Sequence, residues 1–373
     1  MMWFILVFMT VYTGFHIMFY RGVRAALPKG RWWRISLIAW MCLMQLTPII
    51  HRFLEHQGLL GLASAVALLG YVWMGLVILA LIVLGIFSLS SLALKLIRRK
   101  TRAAPPMNPG RRRAVATLVA APVLAAYGMW ESSQVLTRRI IIHTKKLSTK
   151  VGSLKIAFIS DLHLSLMTDV HWLDGVIDRI TNEAPDVVIS AGDFLDGRLP
   201  DIEALSARLH KIPAPMGKYA VIGNHEYYAG LDLSLECHHS AGFKLLRGEG
   251  LSLDGCINLA GMDDARKPSG PAEAAMLSKL SQDLFTIFIR HRPLVPDETL
   301  GLFDLQLSGH THGGQITPFG MLVRLQFPYL AGGYQLEKGS SIYVSRGTGT
   351  WGPPMRVAAP PEVAIIELVA ASA

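Results

Sequence analysis

The first 150 residues carry 19 Lys and Arg side chains and only two acidic ones, Glu55 and Glu131. Between the cations lie long apolar runs without any charge. An ordinary soluble fold of that size needs many charged groups on its surface, so a soluble core of buried helices is a poor account of this stretch. The runs are 3–20, 35–50, 58–94 and 114–130. A helix needs about 20 apolar residues to cross the hydrocarbon core of a bilayer. The reading is therefore four transmembrane helices, the last at the short end of the range and carrying Pro122. A cleaved signal peptide would explain the first run alone, and its cations, Arg21 and Arg24, follow the apolar stretch instead of preceding it.

The loop cations set an orientation. Arg21, Arg24, Lys29, Arg31 and Arg34 follow the first run, and only Arg52 separates the second run from the third. Lys95, Arg98, Arg99, Lys100, Arg102 and Arg111 to Arg113 precede the fourth, around a loop marked by Pro105, Pro106 and Pro109. Positive loops stay in the cytoplasm. With four spans both chain ends lie outside it, and the large region after the spans is extracytoplasmic. Were the fourth run not a span, that region would be cytoplasmic.

The rest of the chain carries 17 basic and 25 acidic residues. The overall charge of +9 therefore belongs to the apolar N-terminal region and is no argument for a nucleic-acid partner. Three cysteines, Cys42, Cys237 and Cys256, exclude a disulfide scaffold. Cys237 and Cys256 are equally compatible with a pair and with two free thiols.

From about Val135 the pattern changes. Strand-like runs occur at Arg139–His143, Leu154–Ile159, Val187–Ile189, Tyr219–Ile222, Phe285–Ile289, Leu305–Leu307, Ile342–Val344 and Val363–Leu368, with helical spacing at Leu173, Val176, Ile177 and Ile180. Buried strands alternating with helices imply an α/β domain with a layered sheet core. Five of these strands are followed by metal-binding residue types. They are Asp161 and His163, then Asp193, then Asn224 with His225, then His291, and finally His310 with His312, two imidazoles that lie on one side of an extended backbone. Polar groups gathered at strand ends are how open α/β sheets build sites. The set is oxygen and nitrogen only, suited to Mn, Fe, Zn or similar ions. Seven candidates exceed the needs of one ion, and two ions sharing one carboxylate would use them all. Paired ions clamp an in-line displacement at phosphorus.

The series Asp161-x-His163, Gly192-Asp193, Gly223-Asn224-His225-Glu226, His291 and Gly309-His310-x-His312 resembles the calcineurin-like metallophosphoesterase superfamily, with every motif in the family's order over about residues 150–370. The wording SDLHL, GNHEYY and SGHTHGGQ is similar to its bacterial membrane-associated branch, the YkuE/YaeI-like phosphoesterases, and to transmembrane proteins with a metallophosphoesterase domain. The resemblance implies a four-layer αββα sandwich with two divalent metal ions at the strand ends. It assigns Asp161, His163 and His312 to one ion and Asn224, His291 and His310 to the other. Asp193 bridges them, and a water or hydroxide between the ions attacks phosphorus. His225 is then no ligand but contacts the phosphoryl group as a charge stabiliser or leaving-group acid. Asp196 supports a metal-ligating histidine or makes the turn before Gly197. Glu226 and Tyr227 line the site or serve structure. Arg346 and Arg356 are candidates for binding substrate phosphate. His238 and His239 belong to a solvated helix face. The stretch Met321–Tyr329 is either core or an apolar lip beside the metals.

The expectation is an integral membrane protein with helical spans in 1–134 and a catalytic domain in 135–373. It hydrolyses phosphate esters or pyrophosphate linkages of a lipid-linked substrate. The alternative is a metal-binding membrane sensor or transporter-associated module without turnover.

Overall fold

The computed structural model describes residues 2–97, 108–197, 199, 201–264 and 269–371. The chain divides into two compact units. One is Met1–Trp130 with Gly352–Met355, and the other is Glu131–Trp351 with Arg356–Ala373.

The apolar runs fold as helices α1 (Met2–Val23), α2 (Arg31–His56), α3 (Leu60–Ile97) and α4 (Pro109–Ser133). A helix satisfies its own backbone, which lipid cannot do. Three helices among the described residues are long and apolar enough to cross a membrane, at Arg31–His56, Leu60–Leu94 and Pro109–Ser133. The run expected to form the first span lies inside α1, and some of its side chains fall outside the described residues. So do the Lys95 side chain and the expected loop residues Arg98, Arg99, Lys100, Arg102, Pro105 and Pro106. Polar cross-links hold α1, α2 and α3 together. His16 Nδ1 pairs with Gln45 Oε1 at 2.8 Å, and Trp73 Nε1 donates to His16 Nε2 at 2.9 Å. Gln45 Nε2 donates to the Met9 carbonyl. Gly70 lets α3 approach α2 so closely that a Cβ there would overlap Thr47. Small residues and interhelical hydrogen bonds are the usual adhesives where both helices already face apolar surroundings.

The second unit is built on two six-stranded sheets. Its strands are β1 (Leu136–Thr144), β2 (Ser153–Ile159), β3 (Val187–Ser190), β4 (Lys218–Ala220), β5 (Phe243–Leu245), β6 (Glu249–Leu253), β7 (Ile257–Met262), β8 (Phe285–Arg290), β9 (Leu305–Ser308), β10 (Gly332–Gln335), β11 (Ser341–Val344) and β12 (Glu362–Ala370). The first sheet runs β1-β12-β2-β3-β4-β5 and the second β10-β11-β9-β8-β7-β6. Strands β2 to β5 are mutually parallel, as are β7, β8, β9 and β11. The expected strand at Tyr219–Ile222 forms over Lys218–Ala220, because Val221 and Ile222 already lead into the site.

Helices cover the outer faces. They are α5 (Val170–Asn182), α6 (Ile202–His210), α7 (Asn224–Ala229), α8 (Leu231–Ser240), α9 (Gly270–Leu277) and the single turn α10 (Gly320–Val323). Leu173, Val176 and Ile180 of α5 and Leu205 and Leu209 of α6 pack on Ala157, Ile159 and Val188 of the first sheet. The opposite pleats, Ile156, Phe158, Val187 and Ile189, meet Leu259, Ile287, Ile289 and Leu307 of the second sheet. The outer face of the second sheet, Ala260 and Phe288, is covered by Met276 and Leu277 of α9. The unit is thus the four-layer αββα sandwich, its near-continuous apolar strands being those of sheets buried on both faces. Cys237 and Cys256 are free thiols. His238 departs from the expected solvated face. It is fully buried, packed on Phe194 with ring centroids 4.6 Å apart and the planes tilted by 37°, while its neighbour His239 is exposed.

Candidate metal centre

Every site residue proposed from sequence lies just beyond the C-terminal end of a parallel strand. Asp161 and His163 follow β2, Asp193 follows β3, and Asn224 and His225 open α7 after β4. His291 follows β8, and His310 and His312 follow β9. The two sheets stack with these ends together, so five strand ends share one mouth.

The backbone there is bent out of its ordinary range. Asp161, His163, Asp193, His310 and His312 have φ of 55°, 48°, 51°, 72° and 50°. Left-handed backbone is uncommon outside glycine and persists where surrounding contacts enforce it. Close approach is built in as well. A Cβ on Gly309 would overlap the Ser160 hydroxyl and the Asp161 carboxylate, and one on Gly223 would overlap the Asp193 carboxylate.

The donor atoms converge. Asp161, His163 and His312 form one group able to hold a metal ion, and Asp193, His291 and His310 form another. A third group joins His163, Asp193 and His225. His163 Nε2 and His312 Nε2 are 3.1 Å apart, and His291 Nε2 lies 3.1 Å from both His310 Nδ1 and Asp193 Oδ2. Asp193 Oδ2 also lies 3.8 Å from His163 Nε2, so its carboxylate stands between the two imidazole pairs. His291 Nδ1 faces the Ala191 carbonyl at 2.8 Å, which makes Nδ1–H the donor there and turns Nε2 toward Asp193 and His310. The Asn224 Oδ1 is buried with no hydrogen-bond partner. A buried acceptor without a donor costs free energy, and a cation beside it removes that cost. Carboxylate, amide and imidazole donors without thiolate fit hard to borderline divalent ions.

Electrostatics follow from burial and crowding. Burial, with the Asp193 charge, pushes the Asp161 carboxyl up to about 6 against the pull of His291 and a hydrogen bond from Ser160. Burial also raises Asp193, but His291, hydrogen-bonded to it, together with His225 and His163, holds it well below the usual carboxylate range. Burial pulls His163 down to about 4 and His310 and His312 well below the ordinary histidine value, favouring the neutral, ligating imidazole. His291 and His225 go the other way: burial lowers His291 too, but the Asp193 charge and hydrogen bond outweigh it and raise it to about 10. Burial lowers His225, yet the Asp196 hydrogen bond and the Asp193 charge outweigh that and raise it.

The supporting residues are less legible in the sequence. Asp196 Oδ1 accepts from His225 Nδ1 at 2.9 Å, and its Oδ2 lies 3.7 Å from His163 Nδ1. Glu226 is fully buried and does not line the site. Its carboxylate accepts from the backbone N–H of Asp193 (3.1 Å), Phe194 (2.5 Å), Leu195 (3.4 Å) and Gly223 (2.8 Å), clasping the loops after β3 and β4. Arg356 is fully buried, and its guanidinium donates to the carbonyls of His312, Arg346, Gly349 and Ala359 and lies 3.1 Å from His312 Nδ1. It organises the loops around His312 and offers no free edge to a phosphate. Arg346 pairs with buried Glu362 at 2.8 Å. The apolar stretch expected near the metals divides. Phe327 is buried against His310 with ring centroids 5.0 Å apart, whereas Met321, Leu322 and Leu325 are exposed.

The sequence pattern of the calcineurin-like phosphoesterases matches residues 154–314. A metallophosphoesterase of Aquifex aeolicus is 36% identical over 254 residues, which cover 66% of this chain and 97% of that one. The chain belongs to the calcineurin-like phosphoesterase family. A zebrafish (Danio rerio) transmembrane protein with metallophosphoesterase domain is 29% identical over 369 residues, 93% of this chain and 83% of the relative, so the likeness extends through the N-terminal helices of this metallophosphoesterase. The metallophosphoesterase YkuE of Bacillus subtilis is 36% identical over 228 residues, 57% of this chain and 78% of that protein, in line with the membrane-associated branch expected from the motif wording.

Proposed function

We propose that this metallophosphoesterase is a membrane-anchored, two-metal hydrolase of phosphate esters or pyrophosphate linkages, acting on a lipid-linked substrate outside the cytoplasm. The observation that carries the reading is the convergence of two imidazole pairs on one shared carboxylate, beside the unpartnered Asn224 oxygen. Asp161, His163 and His312 would hold one ion, Asn224, His291 and His310 the other, and Asp193 both. Bound divalent ions supply positive charge for the phosphoryl oxygens and a nucleophilic hydroxide near neutral pH. The protein's own part is positioning and proton management. Asp196 holds the His225 ring through Nδ1, which leaves Nε2 to contact the phosphoryl group and hand a proton to the departing oxygen. The raised affinity of His225 for its proton suits that role near neutrality.

Membrane attachment is supported by three apolar helices, and the lipid-linked substrate by the rim. Among the described residues of the second unit, six of the ten exposed large apolar side chains belong to the segments around the metal loops: Tyr227, Tyr228, Met321, Leu322, Leu325 and Trp351. Apolar patches gathered at one mouth mark a binding surface. The extracytoplasmic placement rests on four spans and the loop cations.

The test uses the full chain in nanodiscs, stripped of metal and reloaded with Mn, Zn, Fe, Co or Mg. It is assayed on p-nitrophenyl phosphate, its bis ester and lipid phosphates. Metal-dependent turnover lost in His225→Ala and Asp193→Asn supports the hydrolase. Bound ions without turnover on any of these substrates would point to the binding module instead. Equal rates on soluble and lipid esters would remove the lipid reading alone. Labelling of a Lys150→Cys variant by an impermeant maleimide in intact cells reports the side of the membrane.

A further inference from the structure

The rim around His225 differs in kind from the rest of the mouth. On α7 (Asn224–Ala229), Tyr228 sits three residues after His225 and so on the same helix face. Its ring centroid lies 5.3 Å from that of His225, with the planes at 74°. Trp351 approaches the same imidazole at 5.9 Å and 75°. Tyr228 is 65% exposed and Trp351 50%. Trp351 is nevertheless held in place. The Gln315 side chain donates to its carbonyl at 2.8 Å and accepts from its N–H at 3.0 Å. Gln315 itself, in left-handed backbone at φ 52°, closes the turn that carries His310 and His312. The metal loop thus fixes the main chain that carries this indole beside the proton donor. The aliphatic residues of the rim, Met321, Leu322 and Leu325, instead lie in and just after α10.

We infer that Tyr228 and Trp351 form a subsite for the leaving group, and that this group presents a flat aromatic or heteroaromatic face. The inference rests on the proposed function, because His225 as proton donor is what makes this the leaving-group side. Two half-exposed aromatic rings, each nearly perpendicular to the imidazole, offer stacking surfaces that favour a planar partner beyond the area they bury. A flexible alkyl chain or a puckered ring gains only the area.

The experiment compares benzylphosphonate with cyclohexylmethylphosphonate, groups of one size that differ in planarity. Binding to the Mn-loaded full chain in nanodiscs is measured by titration calorimetry, with turnover of the two matching phosphate monoesters followed in parallel. The benzyl compound binds about threefold or more tightly. Trp351→Ala and Tyr228→Ala each erase most of that preference, and Trp351→Phe retains it. Equal affinities, a preference unchanged in both alanine variants, or no binding by either phosphonate overturns the subsite. Turnover that depends on His225 but shows no aromatic preference sinks the subsite and leaves the hydrolase standing. A preference erased in the alanine variants, with no turnover of any ester, keeps the subsite and sinks the hydrolase.

Discussion

Replacing Glu226 by Gln changes one atom and almost no volume, yet it strikes the clasp between the loops after β3 and β4. One carboxylate oxygen accepts from Asp193 and Gly223, the other from Phe194 and Leu195. Glutamine must turn an NH2 toward one pair or the other, so two buried N–H groups face a donor in either orientation. An unsatisfied buried donor costs about 1–3 kcal/mol, so Glu226→Gln should cost about 2–6 kcal/mol. The single N–H at 3.4 Å, from Leu195, argues for the lower half. In a domain of this size each kcal/mol moves the midpoint by about 2–4 °C. The expected fall is therefore at least about 4 °C at a fixed scan rate. Fluorescence-detected unfolding of the full chain supplies the midpoint, and elemental analysis the bound metal. The loss of metal should exceed that in a Glu203→Gln control on α6. A Glu226→Gln protein that melts within about 1 °C of wild type and binds metal fully would refute the clasp.

Burial pulls His238 down to about 4 from the ordinary 6.5, so as pH falls the unfolded chain takes up that proton first, and about 3 kcal/mol of stability present above pH 6.5 is lost by pH 4. In acid titrations His238→Phe should flatten that slope, and an unchanged slope would show that another group controls it. The buried ammonium of Lys218 donates to the Leu209 and His210 carbonyls at 2.7 Å and to Ala241 at 3.4 Å, closing the ends of α6 and α8. Lys218→Met should cost about 2–4 kcal/mol by denaturant titration, and a loss under about 0.5 kcal/mol would mean water replaces it. Asp196→Asn should lower kcat about tenfold or more with metal content and KM little changed, and a change confined to KM would place Asp196 in substrate binding instead. Chelation should lower the melting midpoint reversibly, because the crowded carboxylates and the unpartnered Asn224 oxygen lose their cation. An unchanged midpoint would show that packing alone holds the strained loops.

What could be read in the sequence, and what could not, divides by range. Asp161, His163, His310 and His312 were legible because a metal needs several donors within reach, and a strand end delivers two donors in three residues. Strands such as Leu154–Ile159 and Phe285–Ile289 were legible because burial on both faces writes a nearly continuous apolar run, broken only by Lys155 and Thr286. The short edge strands β5 and β10 have three and four residues and no such run, so they left no signal. Arg356 looked like a phosphate ligand because it stands among glycines; its acceptors are carbonyls up to 44 residues away, which no local pattern reveals. Glu226 and Asp196 were noticed for their neighbours, but apart from Gly223 their partners Asp193, Phe194, Leu195 and His225 lie 29–33 residues off in sequence. His238 was misjudged because its helix carries Glu236 and His239 on exposed positions, while Phe194 and Phe243 come from elsewhere to bury it.

Strand β1 follows α4 almost at once and pairs with β12 in parallel, Leu136 opposite Glu362 through to Thr144 opposite Ala370. The N-terminal end of β1 and the C-terminal end of β12 therefore lie at opposite ends of the ladder. A pull applied at Leu136 and resisted at Ala370 would drag the two strands past one another lengthwise, loading all nine rungs together instead of opening them one by one. Force arriving at Leu136 is thus taken up in shear along the whole ladder, and the metal loop after β2 sits at that same end, because β12 is antiparallel to β2 and sets Ala364 opposite Phe158.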